Sequence, residues 1–361
     1  MVTTYAFLIV IAIVYPLAWG ATTSCSNRNR RLYGSAETST KVIVFIIFLV
    51  FVIFCGFRSI SGMVNDEYAY RNRVMSMIGK PLMEQLKKGP EVLDTLANWI
   101  IANTLHDSQW IIVWDAFVTY GCFIYCIYKQ CDNFELGILL LFLLNIVNVS
   151  FNTMQQMEAV AVSMIGIPYL HKRKFFKYIA VVAVAALIHN SAVMLIALYF
   201  IANMKPWSAK FIGVAAAFVI MMLVFDTVAP GLFSTLGVFE EYSSTYDSGV
   251  KTITVIVAFI PIAFALVFRG YMPDDDNELN CAINMTLIYA MIYLVSTQNV
   301  YVARFGMYIQ PMLIVFFTKF ITVMRKSNLS TLLYYVLVFG YGATMVYFTG
   351  ATRYSFVRLL F

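Results

Sequence analysis

The stretch ALIHNSAVM, Ala186 to Met194, stands in the middle of an apolar run that extends from Phe175 to Asn203. A histidine, an asparagine and a serine in a row are out of place where a membrane helix should be most apolar. Read as one helix, the run is roughly 40 Å long at 1.5 Å per residue, too long for a hydrocarbon core of about 30 Å unless strongly tilted. Folded back at His189, it becomes two short arms. The flanks suit the fold-back, because HKRKFFK (His171–Lys177) precedes the run and NMKPWSAK (Asn203–Lys210) follows it, so both ends carry positive charge. No Gly or Pro lies between Pro168 and Pro206, so Asn190 or Ser191 is expected to open the second arm as an N-cap.

The rest of the chain is equally apolar. Of its 361 residues 61% are hydrophobic and only 12% charged, and the mean hydropathy is +0.78, outside the range of a soluble domain of ordinary composition. The reading is an all-α polytopic integral membrane protein, residues 1–361 forming one transmembrane domain. Apolar stretches near helix-spanning length fall at about 3–20, 41–57, 109–128, 134–151, 154–170, 209–229, 252–268, 279–298, 302–323 and 330–349. They predict about ten transmembrane helices, with a broken or re-entrant hairpin near 175–203 in addition. The first twenty residues lack a basic start and are followed by Arg28, Arg30 and Arg31, so they read as a retained first helix with its N-terminus outside.

Charge counting fixes the expected sidedness, because cytoplasmic loops collect Lys and Arg. With the fold-back, 15 of the 25 basic residues lie inside and 10 outside; a single crossing gives 13 and 12. The net charge of +6 is spread thinly over loops, without a basic block interleaved with aromatics, which argues against nucleic acid as a partner. Cys25, Cys55, Cys122, Cys126, Cys131 and Cys281 show no zinc-ligand spacing and read as reduced packing residues.

With this topology, scattered polar residues collect on the outer side. Arg58 ends the second span, and SGMVNDEYAYRNR after it carries Asp66, Glu67, Tyr68 and Tyr70. The turn NVSFNTMQQMEAV brings Asn148, Asn152, Gln155, Gln156 and Glu158, and Arg304 starts a later span. Residues 59–108 are expected to form an extracytoplasmic cap, with Val92, Leu93, Leu96, Trp99 and Ile100 as the apolar stripe of a helix lying on the membrane surface or over the cavity. A second outer loop, 228–250, carries Glu240, Glu241 and Asp247. Ionisable groups and broken helix tips at such depth belong against a bundle interior or a water-filled cavity. The joint expectation is an outward-facing polar cavity lined by two arginines, a histidine, an acid and amides.

The order of GFRSISGMVNDEYAY, FNTMQQMEAVAVSM, AALIHNSAVMLI and VARFGMYIQPM resembles the EpsG-like branch of the Wzy polysaccharide polymerases over about residues 40 to 325. An arginine, then an aspartate and a tyrosine after the second span, correspond to Arg58, Asp66 and Tyr70. The Asn-x-x-Arg-Gln motif falls on Asn152, Thr153, Met154, Gln155 and Gln156, with Gln155 in place of the arginine. Phe-His-x-Ser-Ala falls on Ile188, His189, Asn190, Ser191 and Ala192, and the late arginine on Arg304. The resemblance implies a bacterial inner-membrane enzyme that joins undecaprenyl-diphosphate-linked oligosaccharides at the outer face, with the bilayer as its medium. A chain-length regulator and a flippase are the partners it implies.

That chemistry assigns expected roles. Arg304 and Arg58 suit the leaving diphosphate, because a guanidinium fork binds phosphate oxygens bidentately; the plainer readings are a helix-end arginine at the headgroups and a basic residue closing a span. His189 suits the general base for the acceptor hydroxyl, against a buried histidine that merely fastens the hairpin, and Asp66 is the alternative base or its orienter, against a solvated loop acid. Tyr70, Asn152, Gln155 and Gln156 are glycan contacts or hairpin fastenings, and Glu158 pairs with an arginine or touches substrate. PDDDNE (Pro273–Glu278) is read as a solvated cytoplasmic turn, so neither metal nor cofactor is expected. Two other functions share the features: a ligase that transfers a finished glycan with the same clamp and base, and a flippase or transporter of an anionic amphiphile, favoured by the broken hairpin.

Overall fold

The computed structural model describes residues 2–26, 35–60, 67–225, 227, 249–325, 327–350 and 354–355. Asp66 and most of the loop 228–250, with Glu240, Glu241 and Asp247, lie outside the described residues. The chain opens with α1 (Val2–Ser26) and α2 (Ser35–Gly56), followed by α3 (Glu67–Met75), α4 (Leu82–Leu86), α5 (Val92–Thr104) and α6 (Gln109–Gln130). Next come α7 (Phe134–Leu143), α8 (Ile146–Ser150), α9 (Met154–Met164), α10 (Ile167–His171), α11 (Phe175–Ile188) and α12 (Leu195–Ala202). The series closes with α13 (Ala209–Leu223), α14 (Thr252–Val267), α15 (Asn277–Val295), α16 (Ala303–Met307), α17 (Gln310–Met324) and α18 (Ser330–Gly350). Ser59–Ile60 pair antiparallel with Tyr354–Ser355.

Helices α1, α2, α6 and α7 pack around aromatic rings. Phe7 meets Phe54, Phe142 and Phe151 edge-on at 6.0, 5.5 and 5.9 Å, the arrangement that ring quadrupoles favour. On the outside, Phe176 is 85% exposed, Leu223 73%, Phe339 72% and Val267 71%. So much outward apolar surface is costly in water and suits hydrocarbon.

Five described helices are long and apolar enough to cross a membrane, and six if the pair Val300–Met307 and Gln310–Met324, bent by 52°, counts as one. Several runs that read as single spans are divided. The run 134–151 breaks at Asn145, which takes the left-handed conformation (φ 63°, ψ 15°) that asparagine tolerates better than most residues. The break frees the Leu144 carbonyl, and Gln310 Nε2 donates to it at 2.6 Å, as a backbone group in an apolar bundle requires. The run 154–170 divides between α9 and α10 at Gly166, where a Cβ would lie 3.2 Å from the Tyr178 ring and 3.0 Å from the Ser163 carbonyl. The apolar pieces of 10–17 residues are too short to cross a core of about 30 Å singly.

The run 175–203 folds back on itself at His189, whose backbone is extended (φ −141°, ψ 116°) between α11 and a short 3-10 turn, Asn190–Met194, that leads into α12. The arms lie side by side: Phe175 meets Tyr199 at 4.9 Å between ring centroids, and the Tyr178 hydroxyl donates to the Leu195 carbonyl at 2.9 Å. Asn203 Nδ2 donates to the Leu170 carbonyl at 3.0 Å, so the run ends next to where it began. A straight helix between these residues would hold them about 50 Å apart. The expected N-cap is not made by a side chain of the arm itself. At the far end, Asn284 Nδ2 donates to the carbonyls of Ala202 and Met204 at 2.9 and 2.7 Å, closing α12. A topology reporter fused after Lys205 is therefore expected on the same side of the membrane as one fused after Arg173; reporters on opposite sides would contradict the fold-back.

Candidate active site

Helix α5 is turned against its apolar stripe. Asp94, Thr95 and Asn98 are buried, while Val92, Leu93 and Ile100 are exposed at 37%, 36% and 45%. A stripe facing outward suits a helix at a membrane surface, and the polar edge becomes a wall of the interior. Just before it, Glu91 reaches the fold-back point: its Oε1 lies 2.8 Å from His189 Nδ1 and accepts the Asn190 N–H at 3.1 Å. The carboxylate thus supplies the cap that the second arm lacks.

Gln155, on α9, completes this junction. Its Nε2 donates to Glu91 Oε2 at 2.7 Å and to the Ile188 carbonyl at 2.8 Å, the latter left open by the end of α11. Its Oε1 accepts from Arg73 at 3.5 Å, and Arg73 pairs with Asp94 Oδ2 at 2.8 Å, which also accepts from Asn98 at 2.9 Å. His189 and Gln155, predicted separately, are therefore brought together, and the residues that join them are Glu91, Arg73 and Asp94. Arg73 is one-third exposed and His189 27% exposed. With Nδ1 held by the carboxylate, His189 Nε2 has no partner among the described residues. A carboxylate on one ring nitrogen fixes the tautomer in which the other carries a lone pair.

The second group lies on α16. Gln156 Nε2 donates to the Arg304 carbonyl at 2.8 Å, and the Arg304 guanidinium lies 5.0 Å from the centre of the Tyr301 ring. Gln155 and Gln156 are adjacent in sequence, so α9 links the histidine junction to Arg304. The Ser191 and Tyr308 hydroxyls, 2.9 Å apart, tie the hairpin tip to the same region.

Arg58 is placed differently from the expected phosphate clamp. It is fully buried, with Nε 3.2 Å from Glu67 Oε2 and the guanidinium 4.4 Å from the centre of the Phe151 ring, and it donates to the Cys55 carbonyl. Glu67 also binds Arg71 at 2.8 Å, and Arg71 donates to Gln109 at 2.7 Å. This cluster fastens the end of α2 to α3 and α6. Tyr70 packs with Trp99 on the small apolar cluster under the cap, Asn152 stands in the turn between α8 and α9, and Glu158 is buried on α9. In PDDDNE, Asp276 caps α15 through the N–H groups of Glu278 and Leu279, both at 3.0 Å, and Lys319 pairs with Asp276 and Glu278 at 3.2 and 2.6 Å. That turn is a helix start fastened by a lysine as well as a charged surface.

The two cap carboxylates titrate in opposite directions. Burial works to raise Glu91, but the hydrogen bonds from His189, Asn190 and Gln155 and the histidine's charge outweigh it, and its pKa falls to about 2. Burial raises Asp94 to about 6; Arg73 opposes the rise and the Glu91 charge adds to it. Glu91 thus contributes stability above the ordinary carboxylate range, lost only as pH falls through that range toward 2. Folded Asp94 takes its proton at a higher pH than the unfolded residue, so its contribution grows as pH falls from about 6 toward 4. The melting temperature of the native protein should gain on that of Asp94→Asn over this window, by on the order of 3 kcal/mol in stability, and a constant difference would remove the raised carboxyl. Glu91→Gln should melt below the native protein at pH 7, where Glu91 is ionised.

The EpsG family model matches residues 41–357. Neither the curated proteins nor the solved structures compared with the chain give a match. The family match begins in α2, runs beyond α18, and takes in the cap, the folded-back hairpin and Arg304. It agrees with the resemblance carried by the motifs around Arg58, Gln156, His189 and Arg304, and it suggests a polysaccharide polymerase in general. By a match over most of its length, in a helical architecture suited to a membrane, this chain belongs to the EpsG family.

Proposed function

We propose that the protein is a Wzy-type polymerase of the bacterial inner membrane, joining undecaprenyl-diphosphate-linked oligosaccharide repeat units at the outer face. The observation that carries this reading is the Glu91–His189 pair at 2.8 Å at the tip of the fold-back, beside Arg73 and the link to Arg304. In the transfer, the acceptor sugar hydroxyl attacks the anomeric carbon of the donor chain. His189 Nε2 takes the hydroxyl proton as the new C–O bond forms. The bond from the anomeric carbon to the diphosphate breaks, and the lipid diphosphate leaves with the electron pair. Arg304 meets the developing charge, and Arg73, which takes the place of the arginine that Gln155 lacks, is its second cation.

Glu91 orients the histidine and stabilises its protonated form, the role a carboxylate has beside any histidine base. Asp66 is the alternative orienter or base on the same side. Arg58 adds positive charge beneath the site while Glu67 keeps it buried, and Tyr70, Asn152, Gln155 and Gln156 serve as the glycan contacts. In this reading the divided helices pair into membrane passes and α13 and α14 cross where the bilayer thins locally, giving about ten passes in all, and the cap, residues 59–108, faces outward. A chain-length regulator and a flippase are its partners.

Purified protein in detergent, given lipid-linked repeat units and no energy source, is expected to produce a ladder of lengthened glycans. Unchanged substrate would overturn the polymerase; transfer of one finished chain to a different acceptor would mark a ligase. His189→Ala and Arg304→Ala should keep normal abundance and lose the ladder, with a rate at least about a hundredfold lower for the histidine. Glu91→Gln should slow chain growth and move its pH profile, which a merely structural residue would not do. A normal ladder from His189→Ala would remove it from the mechanism.

A further inference from the structure

At the end of the bundle where the hairpin returns, the loop after α12 and the loop between α14 and α15 border a half-open cavity of about 220 Å³. Lys205, Trp207, Arg269, Asp274 and Asn280 are among its lining residues. Lys205, Arg269 and Asp274 are exposed at the open mouth of this cavity, and their side chains have no hydrogen-bond or ion-pair partner among the described residues. The loops around it are held firmly. Asn280 Nδ2 donates to the Asp274 carbonyl at 2.8 Å, Asp276 caps α15, and the Trp207 ring packs on Phe211 at 5.1 Å between centroids. Trp207 has φ 62°, a left-handed conformation that a bulky residue adopts only under constraint.

Two cations without partners suit a phosphate group. The acid and the indole in the same cavity suit a cation, the indole through its ring face. A ligand that carries both charges close together satisfies all four side chains, whereas a simple anion leaves Asp274 opposing it. On the two helices next to these loops in sequence, α13 and α14, apolar residues face outward, with Ile212 63%, Leu266 51% and Val267 71% exposed. Such a surface suits acyl chains.

We infer that this cavity is a headgroup site for a zwitterionic phospholipid with a primary ammonium, of the phosphatidylethanolamine class: Lys205 and Arg269 hold the phosphate, and Asp274 and Trp207 the ammonium. The site lies at the opposite end of the hairpin from His189 and is independent of the chemistry proposed there. It gives the two loops a shared partner and fastens the returning arm of the hairpin to α15 at the bilayer surface.

The full-length protein, reconstituted into nanodiscs with equal parts of phosphatidylethanolamine, phosphatidylglycerol and phosphatidylcholine and re-extracted into detergent, tests this by native mass spectrometry of the retained lipid. Phosphatidylethanolamine should be enriched over both others. The double variant Lys205→Ala, Arg269→Ala should lower its retention about tenfold or more, since each basic residue beside a lipid surface contributes a factor of about five. Asp274→Asn, a change at an exposed loop position, should keep phospholipid bound but erase the preference over phosphatidylglycerol. Preference for phosphatidylglycerol in the native protein, an unchanged preference in Asp274→Asn, or displacement of the lipid by inorganic phosphate would each overturn the assignment.

Discussion

One carboxylate holds the candidate site together. Glu91 accepts the Asn190 N–H, binds His189 Nδ1 and receives Gln155 Nε2, so three segments distant in sequence meet on two oxygen atoms. The contact follows from the break in the hairpin. Ending α11 inside an apolar bundle opens carbonyls, and starting the second arm opens N–H groups, and both must find partners where water is scarce. Gln155 takes the Ile188 carbonyl and Glu91 takes the Asn190 N–H. The same two side chains that make the break tolerable also fix the histidine ring, so fold and chemistry share their supports.

Two further helix ends obey the same rule. Asn145 turns the chain between α7 and α8, and Gln310 from α17 accounts for the carbonyl it frees. Asn284 closes the end of α12 by donating to two carbonyls. In each case a side-chain amide from a different helix does the repair. Amides are uncharged and donate in a defined direction, so they reach an open carbonyl without the desolvation penalty of an ion. The bundle is therefore knit by its amides at the places where its helices stop.

Much of this was legible in the sequence, and the failures are physical. The fold-back was readable because HKRKFFK and NMKPWSAK put positive charge at both ends of a run too long to cross once. Apolar composition, however, does not report a break, and the runs 134–151 and 154–170 look continuous although Asn145 and Gly166 divide them. Local capping is all a single stretch can display, so the sequence around the break offers only Asn190 or Ser191 as a cap. Glu91, which caps the second arm, lies about a hundred positions away and leaves no mark in that stretch. Its signal was present in a different form: Glu91, Asp94, Thr95 and Asn98 recur at three- and four-residue spacing along the edge opposite the apolar stripe. A polar line that regular on a helix beside a membrane marks the wall of a cavity, and the apolar line marks the lipid.

The inside-out polarity of α5 has a consequence for what the cap is. Its charged edge is balanced by Arg73 and by His189 from the hairpin, and its apolar edge is suited only to a bilayer surface. Detached from the bundle, the segment would keep the Arg73–Asp94 pair but lose His189 from Glu91, and its oily stripe would have no lipid. The cap is thus a covering without independent existence. It is complete only where membrane, hairpin and cavity meet, and a soluble version of it would keep only Val74, Met77, Ile101 and Ala102 as the remnant of a core.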